Sequence, residues 1–298
     1  VFTVPVIGDG PGLDLKAVVY GTDFSVGSQN AGPYAAFLAE HFSATLMVAH
    51  AFTLSQAAME AEIDSSCESQ QRKDLKFLLS REASALSHGS VKASPVLVEG
   101  DPKQVIPDLA ARLAPSLVVL GTHGGKWLAR EIIGSVAEGI LRSTSWPVLT
   151  VGPQVASAAD KPTPFQHILY ATDLTPAAAR AAVYAVSFAK AFRADLDVLH
   201  VVPSNAIDHP DRLSEIRDRF YRALDDLVPD QATDLCNRRS FVEVGNAHRQ
   251  ILEHIRERSV DLLVLGIRKS SHLGIETRTS RTFPLIAHAT CPVLTIVG

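Results

Sequence analysis

The residues best suited to chemistry lie in one stretch, Gly121-Thr-His-Gly-Gly-Lys-Trp-Leu-Ala-Arg-Glu-Ile-Ile-Gly134-Ser135-Val136. Gly121, Gly124, Gly134 and Ser135 stand in the order G-x2-G-x9-G-S. Residues without a Cβ let the backbone approach the oxygens of an anion, and a turn that opens a helix offers N–H groups with no partner inside that helix. The chemistry is therefore anion binding, with phosphate the first candidate. Ser135 is expected at the N-cap of that helix, where its hydroxyl either caps the helix or turns to a phosphate. His123 could donate to a phosphate or sugar oxygen, and no carboxylate partner that would make it a general base is evident. Lys126 and Arg130 either screen phosphate charge or are simply solvated. Glu131 is the loop's one acidic residue and reads as exposed. The spacing is neither a Walker A loop nor G-x-G-x-x-G, so a plain glycine-rich loop is the competing reading.

The elements that must position this loop occur twice. Shifted by 150 places, Tyr20–His50 matches Tyr170–His200 at 12 of 31 positions, where unrelated chains of average composition give about two. Shifted by 145, Gly100 falls on Gly245, Ile106 on Ile251, Leu117–Gly121 on Leu262–Gly266, and Pro147–Thr150 on Pro292–Thr295. Each copy alternates short apolar runs with helical patterns. In the first copy strands are expected at 16–20, 45–50, 94–98, 117–120 and 148–151. Between them lie an Ala-rich helix carrying Tyr34, Phe37, Leu38 and Phe42, and helices over 71–86, 103–112 and from Ser135. Strands that are apolar throughout and separated by helices imply a parallel sheet covered on both faces. The fold class is α/β, with two tandem, doubly wound, five-stranded Rossmann-like domains over 13–152 and 165–298, joined by a Pro- and Ala-rich linker and related by a pseudo-two-fold axis.

The G-x2-G-x9-G-[ST] spacing resembles the ATP-binding signature of the universal stress protein family. Gly134-Ser-Val-Ala-Glu-Gly-Ile-Leu-Arg142 with Trp146–Val151 resembles that family's last helix and strand, and Tyr20-Gly-Thr-Asp-Phe-Ser25 its first strand and turn. The resemblance covers both halves and implies a tandem member of the adenine nucleotide alpha hydrolase-like fold. It further implies that Asp23, with the backbone around Gly21 and Ala51, holds an adenine. Leu120, Gly121, His123 and Gly124 would line the ribose and phosphates, and Gly134, Ser135 and Val136 would take the terminal phosphates of ATP, with Mg²⁺ a candidate companion. A carboxylate at a strand end can accept from an exocyclic amine, though Asp23 equally suits a turn-capping role.

The second copy departs from the pattern. Lys269 and Thr279 stand where Gly124 and Gly134 are expected, so side chains occupy the space of a triphosphate. Asp173, Val201, Gly266 and Ser280 keep the positions of a weaker, adenosine-end site. The alternative is a half retained as a structural partner. Edge pairing of the two last strands, 148–151 and 293–297, would bury two apolar edges, and the family pairs its domains this way. A further homodimer stays open.

Composition narrows the remaining classes. Of the 298 residues 46% are hydrophobic and 20% charged, and 28 basic against 32 acidic side chains give a net charge of −4. Such a balance does not favour a nucleic-acid backbone. No apolar run reaches the roughly 20 residues of a membrane span. The first twelve residues lack a basic region ahead of an apolar core, so no secretory signal is expected. Cys67, Cys236 and Cys291 form no CxxC pair and read as inert thiols in a reducing cytoplasm, and His50 and His200 as structural histidines rather than metal ligands. The resulting expectation is a stress-response, adenine-nucleotide-binding regulator without a catalytic residue. A slow ATPase or self-phosphorylating protein and a nucleotide-free scaffold are the alternatives.

Overall fold

The computed structural model describes residues 13–53, 65–122, 133–156, 162–206, 213–228, 236–267 and 279–297. In chain order, β1 (Ala17–Gly21), α1 (Val26–His41), β2 (Thr45–Phe52), α2 (Ser65–Leu86), β3 (Ala93–Glu99), α3 (Pro102–Arg112), β4 (Ser116–Gly121), α4 (Ser135–Ser143) and β5 (Val148–Val151) make the N-terminal half. The C-terminal half repeats the order with β6 (His167–Thr172), α5 (Pro176–Phe192), β7 (Asp195–Val202), α6 (Leu213–Leu227), β8 (Arg238–Val244), α7 (Ala247–Glu257), β9 (Leu262–Ile267), α8 (Thr279–His288) and β10 (Val293–Val297).

The strands form one ten-stranded sheet in the order β3-β2-β1-β4-β5-β10-β9-β6-β7-β8. Every pairing is parallel except the central one, where β5 and β10 run antiparallel with Val293 opposite Thr150 and Thr295 opposite Val148. Within each half the winding reverses at the first strand: β1 has β2 on one side and β4 on the other. In open α/β sheets the crevice beyond the strand ends at such a reversal is where ligands bind.

Strand residues alternate between two cores, as a pleated sheet covered on both faces requires. Val18, Tyr20, Leu117 and Val119 pack with Ala31, Ala35, Leu38 and Ala39 of α1. Val19, Val118 and Leu120 pack on the other face with Ile106 of α3 and Ala137, Ile140 and Leu141 of α4. Both cores run through the two halves. On the first face the halves are joined by aromatic contacts: the Phe37 ring lies 5.8 Å from Phe165 and 5.5 Å from Phe192, and His41 stacks on Phe192 at 3.9 Å.

The repeat extends to backbone details that composition does not reveal. Phe24 and its counterpart Leu174 both take left-handed φ, 62° and 59°. Such a conformation costs an L-residue about 1 kcal/mol or more, and local bonds offset it here. The Thr22 and Thr172 hydroxyls accept from the Phe24 and Leu174 N–H groups, each at 3.0 Å. Asp23 and Asp173 accept from the N–H groups of Ser25 and Thr175. Ser25 and Thr175 then serve as N-caps of α1 and α5. His50 and His200 complete the arrangement through Nδ1, 2.7 Å from the Thr22 carbonyl and 2.9 Å from the Thr172 carbonyl. The Thr-Asp pair and the strand-end histidine thus build the same turn twice.

Candidate functional site

The end of β1, the end of β2, the end of β4 and the first turns of α3 and α4 enclose a cavity of about 420 Å³ in the N-terminal half. That volume falls within the range of small-molecule sites. Eight residues expected to meet a ligand line it together: Gly21, Asp23, Ala51, Leu120, Gly121, Gly134, Ser135 and Val136. His123 and Gly124 lie outside the described residues, as do Lys126, Arg130 and Glu131.

The two glycines at the ends of the loop have different physical reasons. A Cβ on Gly121 would sit 2.1 Å from the carbonyl oxygen of Gly27. Glycine is therefore required there first by the close approach of α1 to β4, and only secondarily by room for a ligand. Gly134 has φ −56° and ψ 141°, a backbone that other residues adopt readily, so positive φ does not explain it. It is also the N-cap of α4, the place expected for Ser135, which instead is the first helical residue. No side-chain hydrogen bond caps this helix, and Ser135 lines the cavity. Helices leave their first N–H groups without intrahelical acceptors, which suits this end of the cavity to an anion. The Gly134 N–H bonds the Thr122 carbonyl at 2.6 Å, and the Thr122 N–H bonds the Val151 carbonyl, so this helix start is tied to the ends of β4 and β5.

Replacing Gly121 by alanine is expected to cost about 1–3 kcal/mol, because the obstructing atom is backbone and cannot rotate away. Urea unfolding of the two proteins measures it, and equal midpoints would contradict the packing reason.

At the other end stands Asp23. Burial alone would raise its carboxyl, but hydrogen bonds from the Ser25 hydroxyl (2.5 Å) and the Ser25 N–H (3.0 Å) outweigh it and hold the group below the usual carboxylate range. It is thus both a turn-capping group and a charged acceptor on the cavity wall. Glu138 also lines the cavity and is held by Arg142, at 3.0 Å from Nε and 2.8 Å from Nη2. Between the two ends the wall is apolar, with Ile106, Leu120, Ile133, Ala137 and Ile140.

Sequence reasoning overlooked Thr22 and Ser28, which also line the cavity and whose hydroxyls lie 3.2 Å apart, and Glu82 of α2, which bonds Thr22. A signal existed for Ser28: the repeat places Ala178 opposite it. Glu82 falls where the registers of the two copies slip, so the repeat could not mark it.

In the C-terminal half Asp173 occupies the turn after β6, Val201 and Gly266 lie near the ends of β7 and β9, and Ser280 is in the first turn of α8. In the repeat they stand at the positions of Asp23, Ala51, Gly121 and Ser135. Lys269 lies outside the described residues. Among the described residues no group of three or more His, Cys, Asp or Glu is arranged to hold a metal ion, and no helix is long and apolar enough to cross a membrane.

Comparison with known proteins agrees with this architecture. The model of the universal stress protein family matches residues 15–152 and again 164–296. The universal stress protein MJ0531 of Methanocaldococcus jannaschii is 29% identical over 148 residues, 49% of this chain and 86% of that protein. A universal stress protein from Archaeoglobus fulgidus superposes with a TM-score of 0.70 at 20% identity, covering 94% of this chain and 98% of its own. The functionally unknown protein PA1789 of Pseudomonas aeruginosa gives 0.60 at 17% identity, over 95% of this chain and 92% of its own. These two likenesses concern the fold alone.

Proposed function

The chain belongs to the universal stress protein family as a tandem member, and from that premise we propose that its N-terminal half binds an adenine nucleotide, ATP first, as a regulator of association in the stress response. The observation that carries this is the cavity at the winding reversal, with a charged acceptor at one end, the start of α4 at the other and an apolar wall between. That order of polar, apolar and anion-binding surface is the order of amine, purine and phosphate in ATP.

Asp23, beside Gly21 and Ala51, takes the adenine amine. Leu120 and Gly121, with His123 and Gly124, flank the ribose and phosphates, and Gly134, Ser135 and Val136 take the terminal phosphates. Mg²⁺ bound to those phosphates would offset their charge near Glu138. We assign binding rather than hydrolysis because both carboxylates on the described wall are already engaged, Asp23 by Ser25 and Glu138 by Arg142. The domains run over 13–152 and 165–298. The second acts chiefly as the pairing partner across β5 and β10, and the protein works in the cytoplasm.

The test is to denature protein purified without added nucleotide and after saturation with ATP, and to count the adenine nucleotide released. About one per chain after saturation is expected; two per chain would contradict the asymmetry, and none would contradict binding.

A further inference from the structure

The first turn of α4 carries a group that conflicts with a bound polyanion. Glu138 stands in that turn and lines the cavity together with Ser135 and Val136. A carboxylate there favours the helix, which no side chain caps, because the N–H groups at a helix start attract negative charge. Those N–H groups are also the ones assigned to the terminal phosphates, so Glu138 brings a like charge to the phosphate end. Arg142, one turn further along α4, compensates it, with Nε 3.0 Å and Nη2 2.8 Å from Glu138 Oε1.

The Glu138 and Arg142 side chains are 35% and 41% exposed. An exposed pair of this kind contributes little by itself, since a long side chain gives up its freedom to hold one geometry. Here a second contact holds the arginine. Its guanidinium lies over the Phe283 ring, 5.2 Å from the centroid, within the range where a cation is attracted to a ring face. Phe283 belongs to α8 of the other half, where it is partly buried against the second core.

The repeat shows that this contact occurs in one direction. Shifted by 145, Phe283 falls on Glu138 and Ala287 falls on Arg142. At these places α8 has neither the carboxylate nor the guanidinium, and its aromatic ring serves the arginine of the first half.

Resting on the nucleotide assignment above, we propose that Phe283 is a positioning residue for the phosphate end of the N-terminal cavity: it holds Arg142 against Glu138 and so keeps that end charge-compensated. Phe283 touches no ligand and acts through Arg142. The C-terminal half thereby completes the nucleotide site as well as pairing with it. Once Arg142 is loosened, the Glu138 carboxylate is left opposed to phosphate, and like charges set against each other lower affinity in a way that salt screens.

The experiment is calorimetric titration of the full chain with ATP and Mg²⁺ at low and at high ionic strength. Phe283→Leu keeps an apolar side chain but removes the ring, and is expected to weaken ATP binding about threefold at low salt. Arg142→Met keeps the stem but removes the charge, and is expected to weaken it about threefold to tenfold. Both losses should shrink at high salt. Phe283→Tyr, which keeps a ring, should bind as the unaltered protein does. Glu138→Gln removes the charge that needs compensation, so in that background Phe283→Leu and Arg142→Met should each change the affinity by less than about 1.5-fold. A loss that came only from disturbed packing would survive both high salt and Glu138→Gln. Should Phe283→Leu fail to fold, Phe283→Met takes its place.

A Phe283→Leu protein that binds ATP with unaltered affinity at low salt, or a loss that persists in the Glu138→Gln background, overturns the role of Phe283 while leaving the cavity assignment standing. No ATP binding by the unaltered protein at millimolar concentration overturns both.

Discussion

Ser135→Glu is expected to weaken ATP binding at least about a hundredfold while leaving the melting temperature unchanged or slightly higher. Ser135 is the first residue of α4 and lines the cavity. In the proposed binding mode a carboxylate there would face the terminal phosphates, and like charges brought together in a partly enclosed site cost several kcal/mol, of which about 2.7 corresponds to a hundredfold. The same carboxylate favours the helix, because the start of a helix attracts negative charge by about 0.3–1 kcal/mol. Binding and stability thus move in different directions, which separates loss of the site from loss of the fold. Calorimetric titration and thermal melting read the two effects. An affinity equal to that of the unaltered protein would mean that the phosphates do not reach α4.

The second large effect concerns stability, and its origin lies in the other half. Asp197 on β7 is buried at 4% exposure and is held by three side chains, Arg239, His254 and Arg258. Its Oδ1 takes Arg239 Nε at 2.9 Å, and its Oδ2 takes Arg258 Nε at 2.6 Å and His254 Nε2 at 3.0 Å. Arg239 also reaches Asp195 at 3.0 Å, and Arg258 lies over the Phe241 ring. Burial would raise the Asp197 carboxyl, but His254 and the two guanidinium groups outweigh it and hold it below the usual range. Asp197→Ala leaves cations without their counter-charge and is expected to cost about 3–5 kcal/mol. For a domain of this size that lowers the melting temperature by roughly 6–20 °C.

The pH dependence follows from the same depressed carboxyl. A group with a folded pKa below its unfolded value stabilises the fold above the unfolded value, and that contribution disappears as pH falls through the folded one. The contribution of Asp197 is therefore intact at neutral pH and lost progressively below about pH 4. Asp197→Asn should flatten the acid limb of the stability curve. The repeat also suggests a rescue. Met47, Ser94, Leu109 and Leu113 occupy the equivalent places in the N-terminal half, with Met47 opposite Ser94 as Asp197 is opposite Arg239. Introducing all four into the C-terminal half should restore much of the stability that Asp197→Ala removes, because well-packed apolar groups can replace a buried ion cluster at little net cost. Denaturant unfolding of the three proteins tests this, and a quadruple variant no more stable than Asp197→Ala would contradict it.

The repeat was the most legible feature of the sequence because it is written twice. Matching registers located strands, helices and the last-strand segments, and the structure carries the correspondence down to paired left-handed residues at 24 and 174 and paired caps at 25 and 175. Periodicity put Tyr34, Phe37, Leu38 and Phe42 on one helix, of which Leu38 lies in the core and the other three pack at its margin, but it did not show that Phe37 meets Phe165 and Phe192 of the other half. Contacts between distant segments leave no local period.

The site was legible where chemistry depends on short-range order. Gly121 and Gly134–Val136 flank one stretch of sequence, and Asp23 follows closely on the end of β1. It was illegible where partners come from separate elements. Glu82 reaches Thr22 across 60 residues, from a helix in which a carboxylate looks like any solvated charge. Gly121 was singled out for the approach of an anion, whereas the Gly27 carbonyl, which only three-dimensional packing brings near, gives it a packing reason that no local pattern carries. The ion cluster around Asp197 escaped notice for a similar reason: Arg239, His254 and Arg258 are scattered over 62 positions with Asp197, and only the β7–β8 register and α7 gather them.

In the proposed function one half of a duplicated fold holds an adenine nucleotide and the other does not. Calorimetric titration of the full chain with ATP and Mg²⁺ addresses it in one measurement, through the stoichiometry. Saturation at one nucleotide per chain, abolished by Ser135→Glu with the fold intact, is the expected result. Two nucleotides per chain, or heat that persists undiminished in Ser135→Glu, would contradict it.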